Sequence, residues 1–310
     1  MALNQIADKT LRQIYQKSQS VFWPRYRQDL INDCDIKEVF STFRSPCVFV
    51  LSTGRTGTQT LASLLSLSST SFVYHEPIPL LYGLSNMAYK HNNCHHDALA
   101  VAEELFEEAF LTARRSLLHY SIQFRKGYIE TSPQVTFLAP IIGKVIPQAK
   151  FIQLVRDPRY VIRSGMRRKW YAGHSADDTR IVPDPATEVG RNWGAYSLFE
   201  KNAWLWTETN RKIEEFLKTV PNHQKLFVNS ENIFNNNQRS IKNIFDFVGS
   251  STPSKSKVKR VLMKKINRQM SGEFTQVNEW ETSMILTLKT MAGDLAMRYG
   301  YSLEGVDKVI

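Results

Sequence analysis

Apolar residues along this chain fall into short continuous runs and longer stretches of helical spacing, and the two kinds alternate. Residues 46–51 (PCVFVL) form a continuous apolar run that opens at a proline and closes at Ser52-Thr53-Gly54. Unbroken by polar positions, it predicts a strand buried on both faces. Leu61, Leu64, Leu65 and Leu67 then recur at roughly helical spacing, so strand, glycine loop and helix follow one another directly. Residues 72–77 (FVYHEP) predict a second short strand that stops at a proline, and 150–155 (KFIQLV) and 226–229 two further strands. Helices are predicted over 97–120 with Asp97 as N-cap, from Asp157 (N-cap) and Pro158 (first helical position), and over 195–220, 241–248 and 279–299. Residues 172–192, rich in Asp, Pro and Gly, predict a long loop, and 250–259 (SSTPSKSKVK) a polar, mobile segment. Residues 1–45 predict a helical and irregular lead-in. Strands alternating with helices predict an α/β fold, a central parallel sheet flanked by helices. In such sheets ligands bind beyond the carboxyl ends of the strands.

Length adds little, because 310 residues fit one large α/β domain or two small ones. Charge adds more. A net charge of +11 suits a polyanionic partner: a nucleic acid, an anionic lipid or a multiply charged nucleotide. No zinc-finger, RNP or helix-turn-helix pattern is present and aromatic residues do not alternate with a basic run, so a nucleic-acid partner is not expected. The cysteines are Cys34, Cys47 and Cys94. Without a CxxC pair they predict neither a disulfide framework nor a zinc site. His91, Cys94, His95, His96 and Asp97 crowd into one short stretch with no second ligand pair, so a loop is expected there and no metal. No apolar signal segment opens the chain and no apolar stretch is long enough to span a membrane, so a cytoplasmic protein is expected.

The chemistry concentrates after two strands. Ser52–Thr60 reads STGRTGTQT. Gly54 and Gly57 allow a tight turn and a close approach to an anion. The helix start supplies N–H donors, Arg55 a charge, and Thr56, Thr58 and Thr60 hydroxyls. A Walker A loop would carry lysine at Thr58 and a magnesium-binding hydroxyl at Gln59. Lacking both, the segment suits a 5′-phosphate ester better than Mg·ATP, and a P-loop kinase-like phosphotransferase stands as the alternative. The second segment, 155–168, reads VRDPRYVIRSGMRR. Arg156 sits at a strand end and Ser164 about two helical turns further on, so the pair can grip one phosphate from two sides. A solvated basic face accounts for Arg159, Arg163, Arg167 and Arg168.

GRTGTQTL resembles the 5′-phosphosulfate loop of sulfotransferases that use 3′-phosphoadenosine 5′-phosphosulfate (PAPS), and LVRDPRYVIRSGMRR resembles their 3′-phosphate segment. NAWLWTETNRKI (202–213) and FVNSENIF followed by FDFVG add to the similarity. The resemblance implies a P-loop-like sulfotransferase domain over 46–310 and a metal-free transfer from PAPS to a hydroxyl or amine of a small molecule, a natural product or sugar. It implies that Arg55, Thr56, Gly57, Thr58, Gln59 and Thr60 bind the 5′-phosphosulfate, and Arg156 and Ser164 the 3′-phosphate. Two departures accompany it. Where such enzymes carry a strand lysine, YIETSP (128–133) offers Glu130 and Thr131. Their late basic, glycine-containing loop is matched only loosely by INRQMSGEF (266–274), which makes Arg268 a weaker candidate. The base that takes the acceptor proton is expected in His75-Glu76, with Glu76 ahead of His75, and 172–192 is read as a lid over the acceptor.

Overall fold

In a computed structural model the described residues are 45–91, 99–264 and 272–303. The lead-in 1–44, the Asp97 cap with Cys94, His95 and His96, and Arg268 lie outside them. The strands are β1 (Cys47–Leu51), β2 (Ser71–Tyr74), β3 (Gly127–Glu130), β4 (Lys150–Val155) and β5 (Lys225–Asn229). They form one parallel sheet in the order β2-β3-β1-β4-β5. Helices α1 (Thr58–Leu65), α2 (Tyr82–His91), α3 (Leu99–Gln123) and α4 (Ala139–Val145) precede β4 or lie before it in the chain. After β4 come α5 (Pro158–Arg167), α6 (Glu188–Asn192) and α7 (Leu198–Thr219). Beyond β5 follow α8 (Ser230–Phe234), α9 (Gln238–Phe247), α10 (Lys255–Leu262) and α11 (Thr282–Arg298).

The central strand explains the unbroken apolar run. Side chains alternate between faces, and both faces of β1 are covered. Val48 and Val50 join Leu61, Leu64 and Leu65 of α1 and Ile241, Ile244 and Phe245 of α9 in one core layer. Phe49 points the other way and meets the rings of Phe110, Tyr128 and Phe151. A third cluster holds α5, α7 and α11 together through Val161, Ile162, Trp206, Leu288 and Leu295. Fully burying a side chain of Leu or Phe size contributes about 1.5–3 kcal/mol, so these clusters position the strand ends firmly.

Four sequence expectations change. Strand β2 stops at Tyr74, leaving His75 and Glu76 in the turn beyond it. The stretch around Tyr128 is a full sheet strand, between β2 and β1. The polar segment 250–259 contains the start of α10, whose Val258 is buried against the core. The loop 172–192 holds a 3-10 turn, Ser175–Thr179, and α6. In that loop the Asp177 carboxylate accepts hydrogen bonds from Tyr171 N, Gly173 N, His174 N and Arg180 Nε. Burial alone would raise this carboxyl, but the N–H bonds outweigh it and hold it below the usual carboxylate range.

Candidate functional site

The order of the sheet brings the two glycine- and arginine-bearing segments together. β1 and β4 are neighbours, so the turns at their carboxyl ends open on the same crevice. Past β1, Ser52 is clamped at both backbone atoms by Thr136, whose Oγ1 accepts from Ser52 N and donates to Ser52 O, each at 3.0 Å. The chain then turns through left-handed conformations at Gly54 (φ 78°), Arg55 (φ 58°) and Gly57 (φ 92°). A left-handed non-glycine residue such as Arg55 costs roughly 1–3 kcal/mol.

Gly57 is the N-cap of α1 and no side chain caps that helix. The N–H groups of Thr58, Gln59 and Thr60 therefore have no partner within the helix and stand at its positive end. Thr56 is 1% exposed and its Oγ1 has no hydrogen-bond partner. Thr58 is buried, and Gln59 and Thr60 are half-buried. A Cβ on Gly57 would lie 2.7 Å from Phe234 Cζ. Gly57→Ala is thus expected to lose about 1–2 kcal/mol from the left-handed backbone alone, measured as a shift of the urea midpoint. An unchanged midpoint would show the turn to be free of that constraint.

Past β4, Asp157 caps α5 by accepting from Arg159 N at 2.9 Å and pairs with the Arg159 guanidinium at 2.7 Å. The Arg156 carbonyl accepts from the indole N–H of buried Trp206 at 3.0 Å, which aims the residue. The Arg156 guanidinium lies between the rings of Tyr160 and Phe234, 5.3 and 5.2 Å from their centroids. Its Nη1 donates to the Arg55 carbonyl at 3.1 Å, while its Nε is buried with no partner. Arg55 Nε donates to Ser164 Oγ at 2.9 Å. Arg55, Arg156 and Ser164 therefore converge.

The charges in this convergence do not balance. Burial, then Arg168 and Arg156, lower the Arg55 guanidinium to about 10, with Glu76 pulling the other way. Burial also lowers Arg156, partly offset by Glu231 and Asp157. Guanidinium groups that lose water beside one another favour an added anion.

Of the other arginines of this segment, Arg159, Arg163 and Arg167 have protein partners and Arg168 is exposed. Arg159 serves Asp157. Arg163 donates to the carbonyls of Thr275 and Phe274, and Arg167 Nε to the Gly272 carbonyl at 2.8 Å, so these two hold the segment 272–275. Arg168 is exposed and shares a field with Arg55, Arg180 and Glu76. Four positions of one basic run therefore divide between capping, loop holding and an exposed position, which spacing alone did not separate.

Glu76 takes a left-handed turn (φ 48°), and its Oε1 accepts from Tyr82 OH at 3.1 Å. Its carboxylate opposes the burial that lowers Arg55 and Arg168. His75 turns toward β3, with Nδ1 3.1 Å from Thr131 Oγ1 and 3.2 Å from the Thr131 carbonyl. Both positions lie beyond the end of β2 at Tyr74, where partners decide their directions. Glu130 lies fully buried in an ion pair with Arg114 of α3, so β3 brings no cation to the crevice. Sequence reading missed the roles of Trp206, Glu231 and Tyr301. Glu231 accepts from Asp157 N at 3.2 Å and from Tyr301 OH at 2.6 Å. The stretches NAWLWTETNRKI and FVNSENIF carried the signal for Trp206 and Glu231, as similarity without an assigned task, and Tyr301 lies in neither. Among the described residues no group of His, Cys, Asp and Glu is placed to hold a metal, and none of the described helices is long and apolar enough to cross a membrane.

A family model described as the sulfotransferase family matches residues 46–254. Among solved structures, the sulfotransferase domain of the olefin synthase of Synechococcus PCC 7002 is 18% identical, covering 80% of this chain and 94% of that one with a TM-score of 0.45. The sulfotransferase domain from the curacin biosynthetic pathway is 16% identical, covering 83% and 98%, with a TM-score of 0.47. Sulfotransferase STF9 of Mycobacterium avium is 12% identical, covering 86% and 80%, with a TM-score of 0.47. No curated protein matches the chain significantly.

Proposed function

This chain belongs to the sulfotransferase family, and from that premise we propose that it transfers a sulfuryl group from PAPS to a hydroxyl or amine of a small-molecule acceptor. The observation that carries the donor reading is the meeting of Arg55, Arg156 and Ser164 beside an uncapped helix start. Two buried polar atoms of these same segments, Thr56 Oγ1 and Arg156 Nε, have no hydrogen-bond partner. Unbalanced guanidinium charge and spare donors fit a ligand with phosphates at two positions.

When bound, the donor supplies a sulfuryl group on a phosphate leaving group. Arg55, with the N–H groups of Gly57 to Thr60, holds the 5′ end and takes up the negative charge that grows on that phosphate. Arg156 and Ser164 hold the 3′-phosphate. Glu76 receives the proton that leaves the acceptor oxygen or nitrogen as it bonds to sulfur, and Tyr82 fixes the carboxylate by donating to Oε1. His75, engaged by Thr131, steadies the turn that presents Glu76.

The test is a melting-temperature titration with 3′,5′-adenosine diphosphate, the desulfated product of PAPS, beside ATP with Mg²⁺. A saturable rise with the bisphosphate alone supports the donor by linkage, and a rise with Mg·ATP alone overturns it in favour of a kinase-like phosphotransferase. Calorimetric titration of Arg55→Ala and Arg156→Ala should show each losing about 1.5–3 kcal/mol of bisphosphate affinity, the usual value of a hydrogen bond to a charged group. Wild-type affinity in either variant removes that arginine from the site.

A further inference from the structure

The donor segments around Arg55 and Arg156 meet a third element that belongs to neither. Helix α8 is short and begins directly at the end of β5. Its first residue, Ser230, is fully buried. The Ser230 hydroxyl donates to the Thr56 carbonyl of the first loop and, at 2.9 Å, to the Val155 carbonyl at the end of β4. One hydroxyl thus reaches a carbonyl of each of the two segments, one from the loop after β1 and one from the end of β4. Glu231 receives the Asp157 N–H one peptide further along. Phe234 closes the same turn of α8, with its ring 5.2 Å from the Arg156 guanidinium and against Gly57, where a Cβ would meet Phe234 Cζ at 2.7 Å.

In a trans peptide the C=O and N–H point in opposite directions, and the Thr56–Gly57 peptide is trans. Drawing the Thr56 carbonyl inward to Ser230 aims the Gly57 N–H away from Ser230. The first loop has no side-chain cap of its own and passes through three left-handed residues. A loop of that kind needs an outside tether to hold one conformation, and the Ser230 hydroxyl is such a tether to β4.

We infer that Ser230 is a positioning residue that sets the separation of the two phosphate-holding segments, and so determines selectivity for a nucleotide phosphorylated at both ribose ends over a 5′-mononucleotide. This rests on the PAPS reading. A ligand that touches one wall only loses little when the walls move apart. A ligand that bridges both loses the benefit of their fixed spacing.

The experiment measures dissociation constants of 3′,5′-adenosine diphosphate and 5′-AMP for the wild type and Ser230→Ala, with circular dichroism to verify folding. The expected result is a bisphosphate-to-AMP preference reduced about tenfold in Ser230→Ala, the size of coupling found between groups sharing one network. Should Ser230→Ala not fold, Ser230→Cys, whose thiol is a weak donor of similar size, is expected to reduce the same ratio. A retained preference in a folded variant, or equal losses for both nucleotides, overturns the inference and leaves Ser230 a purely structural residue. A wild type with no preference for the bisphosphate overturns the donor reading, and this inference with it.

Discussion

Glu76→Gln is expected to lower kcat by about 100-fold to 10,000-fold, the usual contribution of a positioned general base, while leaving affinity for 3′,5′-adenosine diphosphate unchanged. The amide keeps the size of the carboxylate and can still accept from Tyr82, whose hydroxyl holds Oε1 at 3.1 Å. It cannot take up a proton. Glu76 also opposes the positive field that lowers Arg55, so the amide leaves more positive charge at the donor loop and should not weaken anion binding there. Steady-state rates with a sulfated product readout, beside calorimetry of the bisphosphate, separate the two effects. Full turnover in Glu76→Gln would pass the role of base to His75, and His75→Asn would then be the variant that stops the reaction.

Arg114→Ala is expected to cost about 3–5 kcal/mol of folding stability, because it leaves a buried carboxylate without its cation. Arg114 and Glu130 are both fully buried. They form a bidentate pair, Nε to Oε2 at 2.9 Å and Nη2 to Oε1 at 2.8 Å, and Tyr128 OH also donates to Oε2. Arg114 Nη1 further donates to the Pro79 carbonyl at 2.8 Å, which ties the turn after Glu76 to α3 and β3. Burial alone would lower the Arg114 guanidinium, yet Glu130 outweighs it and holds it above its usual value. Denaturant unfolding reads the cost. Arg114→Met combined with Glu130→Leu should recover most of it, since no uncompensated charge remains. If Arg114→Ala unfolds at the wild-type midpoint, water reaches the pair and the burial argument fails.

The sheet and the two strand-end segments were legible in the sequence because their signals are local. The buried run before Gly54 and the one before Arg156 each show in a handful of consecutive residues. So does the Asp157-Pro158 helix start, where Asp157 caps α5 as expected. β3 was harder to read because its four residues end in a glutamate. Only Arg114, placed across from it by α3, makes that charge tolerable inside. α10 was hidden by its serine and its lysines, since only Val258 and the partly buried Leu262 meet the core.

Local pattern, then, determined an α/β protein with a glycine-rich, arginine-bearing loop after one strand and an arginine-serine pair after another. Which strands are neighbours came only from the folded sheet, where β4 lies beside β1 and brings Arg55 to Ser164 across 109 positions of sequence. The fate of each arginine in 156–168 was likewise decided by partners distant in the chain: Trp206 for Arg156, the carbonyls of 272–275 for Arg163 and Arg167. The physical reason is range. Capping, strand burial and helix period act over a few residues, whereas a charge acquires its role from whichever distant groups replace the water it loses on folding.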